Sequence, residues 1–314
     1  MTIHDVAIVG AGPAGLSAAL YAVRYCRSTL VLHDGTSRAS LIPVSHNVPG
    51  FDAGIAGPEL LERMSGHAES CGAQLMQDKV IEVSHTGSTF TIAVESGAIF
   101  TARAVILATG VKHNKVPLEE AVHQAAINAG VLRYCPVCDG FEHRGSRIAV
   151  LGCDASGAAE ALFVSGYSNN VTLLPRRDVE LTADEQQDLR QAGVRIVSDA
   201  VCRFEPLGQE MLLHLEGHNA PLAFDVLYPA LGTSARSRLA CQLGLDINEF
   251  GNVAGTTPFG ADIPGLYCAG DLVEGLDQIS VAMGHGAIAA TKAHNWLREC
   301  DGKTAEAVLS RDGP

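Results

Sequence analysis

The stretch DVAIVGAGPAGLSAALYAVRY, residues 5–25, reads as a buried strand, a glycine turn and an Ala/Leu-rich helix. Gly10, Gly12 and Gly15 fit the spacing G-x-G-x-x-G, with Pro13 and Ala14 completing GAGPAG. Each glycine has its own task. The first permits the tight turn, the second lets a pyrophosphate approach the backbone, and the third allows helix and strand to pack closely. The helix N-terminus beyond offers free N–H groups and a favourable dipole to an anion. The next strand, STLVLHDG (28–35), ends on Asp34, 19 residues after Gly15, where a carboxylate can take ribose hydroxyls. The spacing alone fits any tight strand-to-helix turn; strand, helix and acid in one register predict a bound dinucleotide.

Further along, AVILATG (104–110) is another apolar run, closing on Ala108, Thr109 and Gly110. RIAVLGCDASGAAEALFVSG (147–166) then repeats the opening pattern about 140 residues on, and NNVTLLPRRD (169–178) repeats the second strand. Strand–turn–helix–strand occurring twice is an internal duplication. The second turn keeps Gly152 and Gly157, but Asp154 stands in the middle position, where its bulk and charge would crowd phosphates. Arg176 and Arg177 follow the second strand of this copy, where the 2′-phosphate of NADPH would lie. The copy is thus read either as an altered NADPH site or as a Rossmann unit kept for its fold. VRIVSDAVCRF, MLLHLEG and VLYPALGT are expected to form a small meander, and GLYCAGDLVEG precedes a final Gly/Ala-rich helix, SVAMGHGAIAATKAHNWLREC (280–300).

A chain of 314 residues, 47% hydrophobic and 18% charged, is of two-domain size and globular composition. A formal charge of −13 without long runs argues against nucleic acid or anionic membrane as partner. No apolar run reaches the roughly 18 residues of a spanning helix. The opening residues lack the basic region of a signal peptide, so a cytoplasmic location is expected. Nine cysteines make an odd count, and a disulfide framework is not expected; seven are scattered, while Cys135 and Cys138 are paired in VLRYCPVCDGFEHRG (131–145).

Three chemistries suit such a pair. Zinc needs two further ligands, and only His143 is nearby, so no metal is expected. A static disulfide over so short a loop adds little, because closure entropy grows with loop length. A redox pair fits best: a C-x-x-C dithiol opens and closes without backbone movement, and a following helix N-terminus lowers a thiol pKa. Asp139, directly behind Cys138, can deliver or remove the proton that exchange requires.

On GAGPAG, ATG (108–110), CPVCDGFEHRG (135–145), RRD (176–178) and GLYCAGD (265–271), the chain resembles the low-molecular-weight thioredoxin reductases over essentially its whole length. The resemblance implies an α/β fold of two Rossmann-like (βαβ, three-layer) dinucleotide-binding domains, the second inserted into the first. Residues 1–115 and 252–314 would form a discontinuous FAD domain, and 116–251 an NAD(P)H-type domain carrying the cysteines. It also implies a homodimer passing electrons from NADPH through FAD and Cys135–Cys138 to a thioredoxin-like or small disulfide substrate. Cys138 would meet the flavin, Cys135 would attack the partner, and Asp139 would be the acid. Gly270 and Asp271 would hold the ribityl and phosphate region of FAD. Gln278, with the backbone from Ile279 and Ser280, would face the pyrimidine edge.

The sequence departs from its relatives in four places. SRASLIPV (37–44) stands where a Gly-Gly-Gln turn is usual, and Asp277-Gln278-Ile279 where Arg-Gln-Ala is usual. Pro175-Arg176-Arg177 with Leu181 replaces His-Arg-Arg and a further arginine, and Asp154 replaces a glycine. Relatives that oxidise small dithiols with oxygen as acceptor, or that take electrons from a donor such as ferredoxin, supply alternative readings. His285, in AMGHGAIAA, is read as a helix residue or a proton carrier beside the flavin or the dithiol; Arg133 and Tyr134 as solvated loop residues or part of the partner surface.

Overall fold

The computed structural model describes residues 2–254 and 261–303, and by contacts the chain divides into two units. The first comprises the residues up to Leu41, Ala56–Lys112, and those from Ser234 onward; the second comprises Ile42–Ile55 and His113–Thr233. Elements are numbered along the chain. Among the described residues no helix is long and apolar enough to cross a membrane.

In the first unit, β1 (Ile3–Val9), β2 (Thr29–His33), β3 (Gln74–Gln77), β6 (Ile99–Leu107) and β16 (Leu266–Cys268) form a parallel sheet in the order β3-β2-β1-β6-β16. The first half of β6 pairs antiparallel with β5 (Thr89–Val94), which pairs with β4 (Val80–Thr86). Side chains alternate across the parallel strands. Val6, Ile8, Val31 and Ile106 pack under α1 (Pro13–Arg24) and α8 (Ile279–Cys300). Ala7, Val9, Leu30 and Leu32 face the opposite way, sharing a core with Val83, Phe90 and Ile92 of the β4–β5 ribbon. Burial on both faces explains why these strands read as continuous apolar runs. Small residues let α1 and α8 approach closely: a Cβ on Gly286 would lie 2.0 Å from the carbonyl oxygen of Ala14. Ser17 Oγ donates across this contact to the Met283 carbonyl at 2.8 Å.

In the second unit, β8 (Ile148–Leu151), β9 (Val171–Leu174), β10 (Arg195–Ile196) and β14 (Val226–Pro229) form a parallel sheet in the order β10-β9-β8-β14. The helices α5 (Ala155–Ser165) and α6 (Ala183–Gln191) pack Ala158, Ala161, Val164 and Leu189 onto it. A three-stranded antiparallel sheet, β11 (Val201–Leu207), β12 (Glu210–Leu215) and β13 (Leu222–Phe224), is also present.

One expectation is overturned by the strand pairing. VLYPALGT is not a meander strand: its β14 portion lies parallel beside β8 and is wholly buried, which is why it reads as a mainly apolar run. The meander takes Leu222–Phe224 as its third strand instead. By contacts the segment from Ser234 onward groups with the first unit. The cause is α7 (Arg238–Gln242), whose Leu239 and Ala240 enter the core that also holds Val83 of β4 and Val105 and Leu107 of β6. Arg238 Nη1 secures the helix by donating to the Ile81 carbonyl at 2.9 Å.

Candidate functional site

The first glycine turn joins β1 to α1. Gly10 has φ 112°, and a Cβ there would lie 2.2 Å from the Ala108 carbonyl oxygen, so glycine is required by both backbone and neighbour. At Gly15 a Cβ would come 1.9 Å from the Gly10 carbonyl oxygen, which fixes the close helix–strand approach. Gly12 is different. It is the N-cap of α1, makes no side-chain cap, is followed by no acid in the first turn, and a Cβ would meet only Ser37 Oγ at 3.3 Å. The helix N-terminus, with Pro13 and Ala14 opening it, therefore has its N–H groups available.

Around this turn the fold gathers the other residues picked from sequence. Ala108 N donates to the Val9 carbonyl, Thr109 Oγ1 to the Arg236 carbonyl at 2.8 Å, and Arg236 N to the Gly110 carbonyl. A Cβ on Gly270 would lie 2.7 Å from that of Ala14, so Gly270 and Asp271 stand beside the helix opening. Gln278 is the N-cap of α8, Ile279 is buried, and Ser280 is exposed on its first turn. Asp34 accepts from Thr36 N at 2.9 Å and Thr36 Oγ1 at 2.7 Å through Oδ1, and from Arg236 Nη1 at 3.1 Å through Oδ2. Partial burial works against its charge, but the Thr36 bonds and the Arg236 and Lys112 charges win and lower its pKa. Of about four lone-pair positions on a carboxylate, one on Oδ2 is left to accept a ribose hydroxyl.

Arg38 links two of the departures seen in the sequence. Its Nη1 bonds Asp271 Oδ2 at 3.0 Å and Asp277 Oδ2 at 2.9 Å. Burial raises the pKa of Asp271, and burial together with the Asp271 charge raises that of Asp277 to about 6. His285 hydrogen-bonds the Gly270 backbone, and burial lowers its pKa, so at neutral pH it is a neutral ring tied to the Asp271 turn.

The second glycine turn repeats the frame of the first: a Cβ on Gly157 would lie 1.7 Å from the Gly152 carbonyl oxygen. Its helix opening differs. Asp154 is the N-cap of α5, and its Oδ1 accepts from Gly157 N at 2.8 Å. Glu180 N donates to the Cys153 carbonyl at 2.7 Å, and Leu181 joins the core that contains Cys153 and Ala158. Arg176 and Arg177 are exposed in the loop between.

Cys135 and Cys138 form a disulfide at the head of the short helix α4 (Pro136–Asp139), with Cys135 as its N-cap. Cys138 is buried, Cys135 half-buried. Asp139 is only 7% exposed and accepts from the Tyr228 hydroxyl at 2.7 Å, while Arg133 Nε lies 3.4 Å from its other oxygen. Burial raises the Asp139 pKa, with the Tyr228 bond and the Arg133 charge opposing. A carboxyl so held can keep its proton at a higher pH than an exposed one and give it to a departing thiolate. His143 meets the Tyr228 ring edge-on at 6.1 Å, and burial, helped by the Arg133 charge, lowers its pKa. Tyr134 is no solvated loop residue: its hydroxyl bonds His123 Nε2 at 2.7 Å and its ring stacks on His113. Sequence reasoning passed over Tyr228 and Glu160. The signals were faint: one hydroxyl in the apolar run VLYPALG, which must find a partner when buried, and one acid in the run AAEALFV. Burial raises the Glu160 pKa to about 7.

Residues 4–286 match the pyridine nucleotide-disulphide oxidoreductase family. The bifunctional thioredoxin reductase/thioredoxin of Mycobacterium leprae is 33% identical, covering 99% of this chain and 70% of that protein. The thioredoxin reductase of Streptomyces clavuligerus is 32% identical, covering 94% of each. The crystal structure of thioredoxin reductase from Streptococcus pyogenes superposes with a TM-score of 0.85 at 26% identity, over 95% of this chain and 99% of that one. Such relatives imply FAD and a pyridine nucleotide. The uncapped opening of α1, the remaining position on Asp34 and the tight Gly10–Gly15 frame fit FAD; the Gly157 amide, already held by Asp154, does not fit a second pyrophosphate. With its glycine frame, its C-x-x-C-D pair and these relatives, the chain belongs to the pyridine nucleotide-disulphide oxidoreductases, in the low-molecular-weight thioredoxin-reductase-like group, and is a flavoprotein oxidoreductase.

Proposed function

We propose that this oxidoreductase moves two electrons between FAD held by the first unit and an external thiol–disulfide couple, a thioredoxin-like protein or a small disulfide, through Cys135 and Cys138. One observation carries the reading: a redox-capable cysteine pair heads a helix with a buried, tyrosine-bonded carboxyl immediately behind it. FAD, when bound, supplies a two-electron store. Cys135 is the more exposed residue of the pair, which supports it as the one that meets the external partner. In the reducing direction the Cys135 thiolate attacks the external disulfide, and a mixed disulfide forms as one external thiolate leaves. Asp139 protonates that thiolate. Cys138 then attacks Cys135 Sγ, the second external sulfur leaves, and the Cys135–Cys138 bond re-forms; the pair is oxidised and the substrate reduced. A homodimer is the assembly the resemblance implies, and light scattering at micromolar concentration should give twice the chain mass of 32.9 kDa.

The same exchange run backwards oxidises an external dithiol, with oxygen as the final acceptor. NADPH as donor to the pair is supported by Arg176 and Arg177 after β9; the reverse direction is favoured by the carboxylate of Asp154 at the opening of α5. Anaerobic addition of NADPH, or of dithiothreitol, to the yellow protein separates the two. Bleaching by NADPH selects the reductase, bleaching by the dithiol alone selects the oxidase, and bleaching by neither refutes the exchange reading.

A further inference from the structure

We infer that the second glycine turn is closed by the chain's own atoms against the pyrophosphate of a pyridine nucleotide, and that neither NADPH nor NADH delivers electrons through it. The inference rests on the exchange reading above, in which the Cys135–Cys138 pair is the working group.

Three contacts close the turn. The amide of Gly157, which would face an anion at the opening of α5, donates to Asp154 Oδ1 at 2.8 Å. This is an N-cap in the ordinary sense: the carboxylate satisfies an amide that the helix leaves open and places its negative charge at the positive end of the dipole. Glu180 N donates to the Cys153 carbonyl at 2.7 Å, so the loop after β9 is tied to the turn itself. Leu181 then anchors that loop, 9% exposed in a core with Cys153 and Ala158.

The first unit is an internal control. Both turns bring the third glycine against the first, with Cβ approaches of 1.9 Å at Gly15 and 1.7 Å at Gly157. Both open a helix, yet only α1 lacks a side-chain cap. The frames agree and the occupants differ. A diphosphate entering at Gly157 would have to displace Asp154 from its amide and then stand beside that carboxylate at close range, where like charges repel. Arg176 and Arg177, both exposed, offer charge to a 2′-phosphate. They do not relieve the turn, because the pyrophosphate anchors the nucleotide and the arginines would only select among nucleotides already anchored.

The test uses the FAD-loaded protein under anaerobic conditions. NADPH and NADH are titrated calorimetrically into the native protein, Asp154→Gly and Asp154→Asn, and flavin absorbance is followed after each nucleotide and after dithiothreitol. The native protein should show no binding of either nucleotide up to about 1 mM, a concentration that would reveal even weak association. Asp154→Gly should bind NADPH at least about tenfold more tightly than native protein. Asp154→Asn, which keeps a capping oxygen without the charge, should fall between them. Binding of NADPH to the native protein at tens of micromolar or below, with bleaching of its flavin, would overturn the inference and leave the exchange reading intact. Failure of dithiothreitol to bleach the flavin would sink the exchange reading, whatever the nucleotides do.

Discussion

The Tyr228 hydroxyl, fully buried, spends its one proton on Asp139. That bond steadies the ionised carboxylate, while burial pushes the other way and prevails. Tyr228→Phe should therefore raise the Asp139 pKa further, since the ionised carboxylate loses the hydrogen bond that favours it. The pH–rate profile of thiol–disulfide exchange should move its Asp139 limb to higher pH. An unshifted profile would leave Tyr228 a packing residue. Asp139→Asn should slow exchange by about a hundredfold, the usual scale of a lost proton donor. The two cysteines differ in exposure, so brief alkylation of the reduced protein should label Cys135 before Cys138 in peptide mapping. The opposite order would reverse their roles.

At the scale of elements, α5 and the α1–α8 pair carry the clearest stability consequences. Glu160 on α5 has an ordinary pKa of 4.5 and is raised by burial to about 7. Below pH 4.5 folded and unfolded chains both hold its proton, and its charge costs nothing. Between pH 4.5 and 7 the unfolded chain releases the proton while the folded one keeps it, so folding loses stability as pH rises through this window. Glu160→Gln should thus match native stability below about pH 4 and exceed it by about 3 kcal/mol at pH 8, measured by urea unfolding. Between α1 and α8, Gly286→Val places carbon where the Ala14 carbonyl already lies, 2.0 Å from the first added atom. It should destabilise the protein by about 2 kcal/mol, an overpacking cost, and lower its midpoint in the same measurement.

For the whole molecule, the division of labour between the two glycine turns predicts one FAD per chain. The purified protein should be yellow, with a flavin-to-protein ratio near one. Gly12→Asp, which gives α1 the kind of cap that α5 already has, should yield colourless protein that FAD does not reconstitute, while circular dichroism shows the fold retained. Yellow Gly12→Asp protein would show that a carboxylate at this position tolerates a dinucleotide, and would weaken the case for closure at Asp154 as well.

The duplicated strand–turn–helix–strand unit, the C-x-x-C-D element and the apolar strands of both sheets were legible in the sequence, because each depends on residues close together in the chain. Backbone sterics choose glycine at Gly10 and Gly15, and double burial makes a parallel strand mainly apolar along its length. Contacts between distant residues were not legible. Nothing local announces that Tyr228 bonds Asp139 across 89 positions, that Arg38 spans Asp271 and Asp277, or that α7 returns to the first unit through Leu239 and Ala240. Asp154 lies between the two cases. The sequence showed a misplaced charge in a glycine turn, and it took the tertiary structure to show that charge engaged on Gly157 as a helix cap, because a hydrogen bond depends on where the backbone turns and not on which residues are present.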